Sequence, residues 1–256
     1  MRRSPGRLAR EHLPPLGLIL SLLALWELVA RLLELPYILP SPSAIFLRMG
    51  EDFGLLLRHA AVTLEEVLLG FVIALFLGMA AALLIFHSRT FQRALYPLII
   101  ATQNVPVFAI APILVLWLGY GVGSKVAVAA LIIFFPLVVN TVDGLRSVDK
   151  DAIDLFWVLE ASPAQLLLKL RLPSALPFIL SGCKIGVTLS VVGAVIGEWV
   201  GAKAGLGFLM IQANARLKVD LVFAAIIWLS ALSIALFALV SLIERTMLPW
   251  RENERE

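Results

Sequence analysis

The chain has 256 residues, of which 61% are hydrophobic and only 15% charged, with a mean hydropathy of +0.96. A water-soluble domain is nearer half apolar and a quarter charged, and a single soluble core cannot hide this excess. The composition therefore excludes a cytosolic enzyme, a disordered tail and a disulfide scaffold. The net charge of +3 does not point to nucleic acid, because the basic residues sit in short runs between apolar stretches, as membrane topology demands. Cys183 is the only cysteine, and His12, His59 and His87 are scattered without paired spacing, so neither a disulfide nor a metal site is expected.

A spanning helix needs about 20 mostly apolar residues. Stretches of that kind predict an all-α membrane protein with six transmembrane helices: Leu16–Leu35, Leu64–Phe86, Leu95–Leu118, Lys125–Val142, Ala175–Val200 and Leu221–Met247. Short alternating segments of the barrel kind are not seen. Arg2, Arg3, Arg7 and Arg10 precede the first span, which is too long for a cleavable signal and lacks a small-residue cleavage site. They hold the N-terminus (1–15) in the cytoplasm, and six crossings return the tail (248–256) to the same side. Basic residues on the inside segments outnumber those outside by about two to one; Lys125 is counted among the outside ones. The whole chain reads as one membrane domain.

Along the chain, Glu27 and Arg31 lie four apart in the first span and are expected to pair. The external segment 36–60 opens on Pro40-Ser41-Pro42 and continues as an amphipathic stretch to Leu57, which predicts a short interfacial helix. Glu65 and Glu66 fall in the first turns of the second span, where solvent and the helix N-terminus suit anions. Thr102, Gln103 and Asn104 precede Pro106 and give the third span a polar, broken middle whose freed carbonyl must face protein or water. Gln103 and Asn104 are therefore the first candidates for a solute path, with Asn140 beside Thr141 on the fourth span as the second. Asn140 can equally cap or tether the loop that follows.

On the fifth span Lys184 is expected to snorkel inward or to pair with an acid on another helix, and Glu198 is a further path candidate near an outer gate. Gly193, Gly197 and Gly201 recur every fourth residue, leaving a smooth ridge for close helix packing or for a sliding face between subunits. The external segment 201–220 carries the Gly205-Leu206-Gly207 turn.

The cytoplasmic segment 147–173 is the most informative. Asp149 can cap a first short helix carrying Ile153, Phe156 and Trp157. Ser162 followed by Pro163 is a cap and first-turn pair opening a second helix, Pro163–Leu170, that ends before Pro173. Such a loop suits docking into a groove on a soluble partner, or lying flat on the bilayer as an elbow; periodicity leaves both open.

The stretch Glu160-Ala161-Ser162, Gln165, Lys169, Leu172-Pro173, Ala175-Leu176-Pro177 and Gly182 resembles the EAA loop of ABC importer permeases. Counting back from Pro173 puts Leu170 at that motif's Ile, Glu160 at its turn Gly and Asp154-Leu155-Phe156 at its Glu-Ala-Ala, so the glycine and both alanines are replaced here. The runs Pro40-Ser41-Pro42, Pro112–Gly121, Asn140-Thr141, Gly144-Leu145, Gly197-Glu198, Gly201-Ala202 and Gly205–Gly207 are similar to the nitrate/sulfonate/taurine permease subfamily. Val191–Ala194, Glu244-Arg245 and Pro249-Trp250 resemble its thiamin-pyrimidine-precursor and riboflavin branch.

The resemblance implies a type I ABC importer permease fold in the inner or plasma membrane, paired with a second permease copy, surrounded by lipid and served by an extracytoplasmic solute-binding protein. It implies two ATP-binding subunits docked on the coupling loop, through Asp154, Phe156, Trp157, Glu160, Ala161, Ser162, Gln165, Lys169, Leu172 and Pro173. ATP and Mg would sit on those subunits, and no cofactor is expected here, because Gly119, Gly121 and Gly123 before Ser124-Lys125 lack phosphate-loop spacing. The implied solute is a pyrimidine or flavin-type vitamin precursor, or a nitrate, sulfonate or taurine-like anion. Two rival classes are an ion-driven secondary transporter, which would show inverted repeats and mid-span carboxylates, and an intramembrane enzyme, for which Thr188 and Ser190 lack a His or Asp companion in sequence.

Overall fold

Uninterrupted apolar sequence folds into long helices here, and each departure from the expected pattern has a local cause. The computed structural model describes residues 5–249, with side chains from residue 14 on. The side chains of Arg2, Arg3, Arg7, Arg10 and His12, and the tail from Trp250 with Arg251 and Arg255, lie outside the described residues. The helices are α1 (Pro5–Leu33), α2 (Pro42–Glu51), α3 (Phe53–His87), α4 (Arg89–Thr102), α5 (Val107–Leu118), α6 (Val122–Arg146), α7 (Lys150–Val158), α8 (Pro163–Leu166), α9 (Leu172–Gly201), α10 (Leu206–Ala215) and α11 (Val219–Met247). A π-turn, Leu167–Arg171, joins α8 to α9.

Five described stretches are long and apolar enough to cross a membrane: Pro14–Leu33, α3, α6, the continuous rod Pro163–Gly201 and α11. The sixth expected span is a pair, α4 and α5, that meet at 103°. Gln103, Asn104 and Val105 donate their N–H groups to carbonyls only three residues back, tightening the last turn of α4, and Pro106 has no N–H with which to continue it.

Three boundaries differ from the sequence expectation. Helix α2, expected to be interfacial and capped by the Ser41 hydroxyl that accepts the Ala44 N–H at 3.3 Å, stops at Glu51 rather than near Leu57. Helix α3 then starts at Phe53, well before Leu64, because no breaker separates the two. The helix opened by Pro163 does not end before Pro173. Leu172 instead donates to the Leu167 carbonyl five residues back, and this wider turn accommodates the proline ring within one continuous rod.

Helices α6 and α9 form the centre. A Cβ at Gly193 would lie 2.9 Å from Ala129 Cα, and one at Gly197 would lie 3.0 Å from Lys125 Cα, so here backbone approaches backbone. A Cβ at Gly201 would lie 3.0 Å from Val115 Cγ1 and 3.1 Å from Tyr120 Cδ1. The ridge is thus spent on packing inside this chain. Helix α3 lies on the same pair, with Gly70 against Ala129 and Gly78 against Leu137. Around them Val67, Leu137, Leu145, Ala175, Cys183 and Val187 make the main core. A second core of Ile45, Leu56, Leu206, Leu209 and Leu221 fills the α10 end.

Helix α1 is peripheral, its leucines mostly exposed. The Glu27 carboxylate accepts from Arg31 Nε at 2.7 Å, the Ser43 hydroxyl at 2.7 Å and the Ser43 N–H at 3.0 Å, tying α1 to the start of α2. Arg48 Nε donates to Asp220 Oδ2 at 2.8 Å, tying α2 to α11; that bond holds the guanidinium above its ordinary pKa.

Candidate functional site

The elbow between α6 and α9 is built by local chemistry. The Asp149 carboxylate caps α7 by accepting the Asp151 N–H at 3.4 Å. Its other end closes as a Schellman turn: Ala161 N–H donates to the Phe156 carbonyl and Glu160 N–H to the Trp157 carbonyl, both at 3.0 Å. Such a turn needs a left-handed residue, and Glu160, at φ 56°, supplies it where a glycine would be unstrained. Ser162 and Gln165 then form a reciprocal capping box at 2.8 and 3.3 Å that starts α8.

This elbow is fastened to the membrane helices through Arg171, and Leu167 and Leu172 pack against the main core. Arg171 donates to the Leu145 carbonyl at the end of α6 at 2.9 Å, and its guanidinium lies 4.9 Å from the Phe86 ring at the end of α3. Ile153 and Phe156 are half-buried, whereas Leu155, Trp157, Val158 and Leu159 are exposed, Val158 by 80%. Asp154, Glu160, Ser162, Gln165, Lys169 and Pro173 are also exposed, while Ala161 and Leu172 are half-buried. Of the face expected from periodicity, only Trp157 points outward, joined by three apolar neighbours that the pattern did not single out.

The α4–α5 break lies on an open face of the bundle. Thr102, Gln103, Asn104, Val105 and Pro106 are exposed there. Thr102, Gln103, Val105 and Val107 face Ile132, Phe135 and Pro136 of α6 and Leu189 of α9 across a groove of about 280 Å³. Gln103 is the one path candidate among these lining residues. Asn104 donates its side-chain amide to the Ala101 carbonyl at 3.3 Å, and half-buried Asn140 donates to the Pro136 carbonyl at 2.7 Å. The lining has no charged side chain.

Glu198 lies elsewhere, closed in at the far end of α9 with 1% exposure. Its Oε1 accepts the Thr63 hydroxyl at 2.6 Å, and its Oε2 accepts the N–H groups of Gly207 at 2.5 Å and Phe208 at 3.3 Å, at the start of α10. Thr63 Oγ1 accepts the Leu206 N–H at 2.9 Å, and His59 Nδ1 the Gly205 N–H at 3.0 Å. Gly205 has φ 112°, and a Cβ there would collide with the Glu198 carboxylate, so only glycine fits the turn.

Two residues beside this turn depart from the sequence reading. Lys125, counted as a loop cation, is 3% exposed, and its Nζ donates to the carbonyls of Tyr120, Gly121 and Gly201 at 2.7, 2.8 and 2.7 Å. Glu66, expected in solvent, is 2% exposed and faces Glu198 and Lys125. Both are buried by partners remote in sequence, Glu66 beside Glu198 and Lys125, and Lys125 on the Gly201 carbonyl, which no local signal announces. Lys184 does find an acid on another helix, Glu244 of α11.

Residues 70–249 match the family of binding-protein-dependent transport system inner membrane components. A probable ABC transporter permease protein of Haemophilus influenzae is 46% identical over 226 residues, covering 88% of this chain and 92% of that one. The formylaminopyrimidine transport permease protein of Halalkalibacterium halodurans is 42% identical over 245 residues (95% and 98% covered), and the riboflavin transport system permease protein of Chloroflexus aurantiacus 37% over 252 residues (96% and 94%). Among solved structures, a chain of the MetNI methionine ABC transporter in an inward-facing form superposes with a TM-score of 0.67 at 18% identity, covering 77% of this chain and 98% of that chain. The chain belongs to the binding-protein-dependent transport inner-membrane components and is a multi-pass permease subunit of an ABC importer, with the type I fold and with its ATPase on a separate subunit.

Proposed function

We propose that the permease, paired with a second copy, imports a small uncharged heterocycle of the pyrimidine or flavin kind. The observation that carries this reading is the groove at the α4–α5 break, whose walls offer a carboxamide, a hydroxyl and apolar surface but no cation. The lysines of the two framing helices are committed elsewhere, Lys125 to three carbonyls and Lys184 to Glu244. A sulfonate or taurine would have to shed its water there without a counter-charge. The relatives named for formylaminopyrimidine and riboflavin, at 42% and 37% identity, also stand above those named for aliphatic sulfonates and taurine, at 31% each. The test is ATP-driven uptake in proteoliposomes holding the permease, its ATP-binding subunit and its binding protein. Formylaminopyrimidine or riboflavin should accumulate, and less in Gln103→Leu; accumulation of taurine alone would reverse the assignment.

The exposed apolar strip of the elbow is the seat of the ATP-binding subunit, one per permease copy, with ATP and Mg held on that subunit. The termini and the elbow then lie in the cytoplasm, and the α10 end meets the binding protein. Closure of the ATP-binding subunits moves the elbow, and Arg171 passes that motion to α6 and α3. In detergent, Ala161→Arg with Ser162→Arg should lose the ATP-binding subunit while the permease stays folded. Retained binding would make the elbow a bilayer-surface element and bring the ion-driven reading forward.

A further inference from the structure

The α10 end buries three ionisable side chains together: Glu66 at 2%, Lys125 at 3% and Glu198 at 1% exposure. With both acids ionised, two negative charges would share one positive charge, away from water. The hydrogen bonds divide the roles. Glu198 accepts from Thr63, Gly207 and Phe208, the environment of a carboxylate. Glu66 Oε2 is buried with no donor, and its carboxyl group lies within hydrogen-bonding reach of Glu198. Lys125 is saturated by three carbonyls and contributes only its charge.

We propose that Glu66 carries a proton and donates it to the Glu198 carboxylate, so that this pair is a proton-binding site which holds the α9–α10 turn closed on α3. The ionisable groups facing Glu66 are Lys125 from α6, Glu198 from α9 and Glu65 beside it on α3. Helix α10 has no ionisable residue, and those of α11, Asp220, Glu244 and Arg245, lie at its two ends. When the turn lifts, Glu66 meets water and ionises. Between the pH at which the open form loses the Glu66 proton and the pH at which the closed pair does, the closed form binds one proton more, so closure weakens across that window as pH rises and then levels off.

The test uses the full chain in lipid nanodiscs. Infrared spectra at neutral pH should contain the C=O stretch of a protonated carboxyl group, absent in Glu66→Gln and displaced in Glu198→Gln. Hydrogen exchange at Gly207 and Phe208, corrected for its intrinsic pH dependence, should quicken by up to about tenfold per pH unit above the onset in the wild type. In Glu66→Gln, whose amide donates to Glu198 at any pH, that dependence should vanish wherever His59, which accepts the Gly205 N–H of the same turn, is neutral. A wild-type spectrum without a protonated carboxyl overturns the proposal with no variant needed. So does a band that Glu198→Gln leaves unmoved, or an exchange profile that is flat with pH in the wild type.

Discussion

Lys184 on α9 and Glu244 on α11 form an ion pair within the helical bundle, their side chains 21% and 19% exposed, with the Lys184 ammonium 5.9 Å from the Phe237 ring centre. Replacing Glu244 takes this counter-charge from the Lys184 ammonium in a largely apolar setting. Glu244→Gln should therefore cost about 3 kcal/mol, at the lower end for a buried pair, and Lys184→Met with Glu244→Met should recover most of it. A double-mutant cycle on thermal unfolding in detergent measures the coupling; a value near zero would show that the pair contributes nothing.

The α6–α9 contact makes a second prediction. At Gly193 an added methyl meets the Ala129 backbone at 2.9 Å, which cannot rotate away, whereas at Gly54 nothing lies within 4 Å. Gly193→Ala should destabilise by about 1–3 kcal/mol through overpacking. Gly54→Ala, inside α3, should stabilise by about 0.4–1 kcal/mol through chain entropy alone. The two shifts in melting temperature should have opposite signs.

At Glu160 the backbone is held in the left-handed region by the turn that ends α7. Glu160→Gly should relieve about 1 kcal/mol of local strain. Slower hydrogen exchange at the Ala161 amide, which donates to Phe156, is the readout. Glu160→Val should quicken it.

The exposed strip of the elbow predicts a separation of binding from stability. Trp157 and Val158 are 51% and 80% exposed, so Trp157→Ala and Val158→Asp should change stability by no more than about 0.5 kcal/mol. Both should weaken co-purification of the ATP-binding subunit. Loss of stability in step with loss of binding would mean that the strip packs on the permease itself.

Features set by local chemistry were legible in the sequence. Ser41, Asp149 and Ser162 cap helices as their residue types and neighbours dictate, and Pro106 breaks the third span where the polar run stands. Gly193 and Gly197 declared a close contact, though not its partner, α6. What stayed hidden depends on residues remote in sequence. Glu66 looks like a solvated first-turn acid until α6 and α9 bring Lys125 and Glu198 against it, and Lys125 like a loop cation until its ammonium meets the Gly201 carbonyl. Which apolar residues of α7 stay exposed was not legible, because Ile153 and Phe156 are half-buried while Leu155, Val158 and Leu159 are not, a choice that helical periodicity alone cannot make.

The π-turn has a mechanical consequence. Because it carries the backbone past Pro173 without a break, Pro163–Gly201 is one 39-residue shaft, about 58 Å long at 1.5 Å per residue. Its first turn is gripped by the capping box of the elbow, and its last turn holds Glu198 and, through it, the start of α10. A tilt imposed at Ser162 therefore reaches the Gly205 turn as the swing of a single lever, with the glycine-lined contact on α6 as its fulcrum.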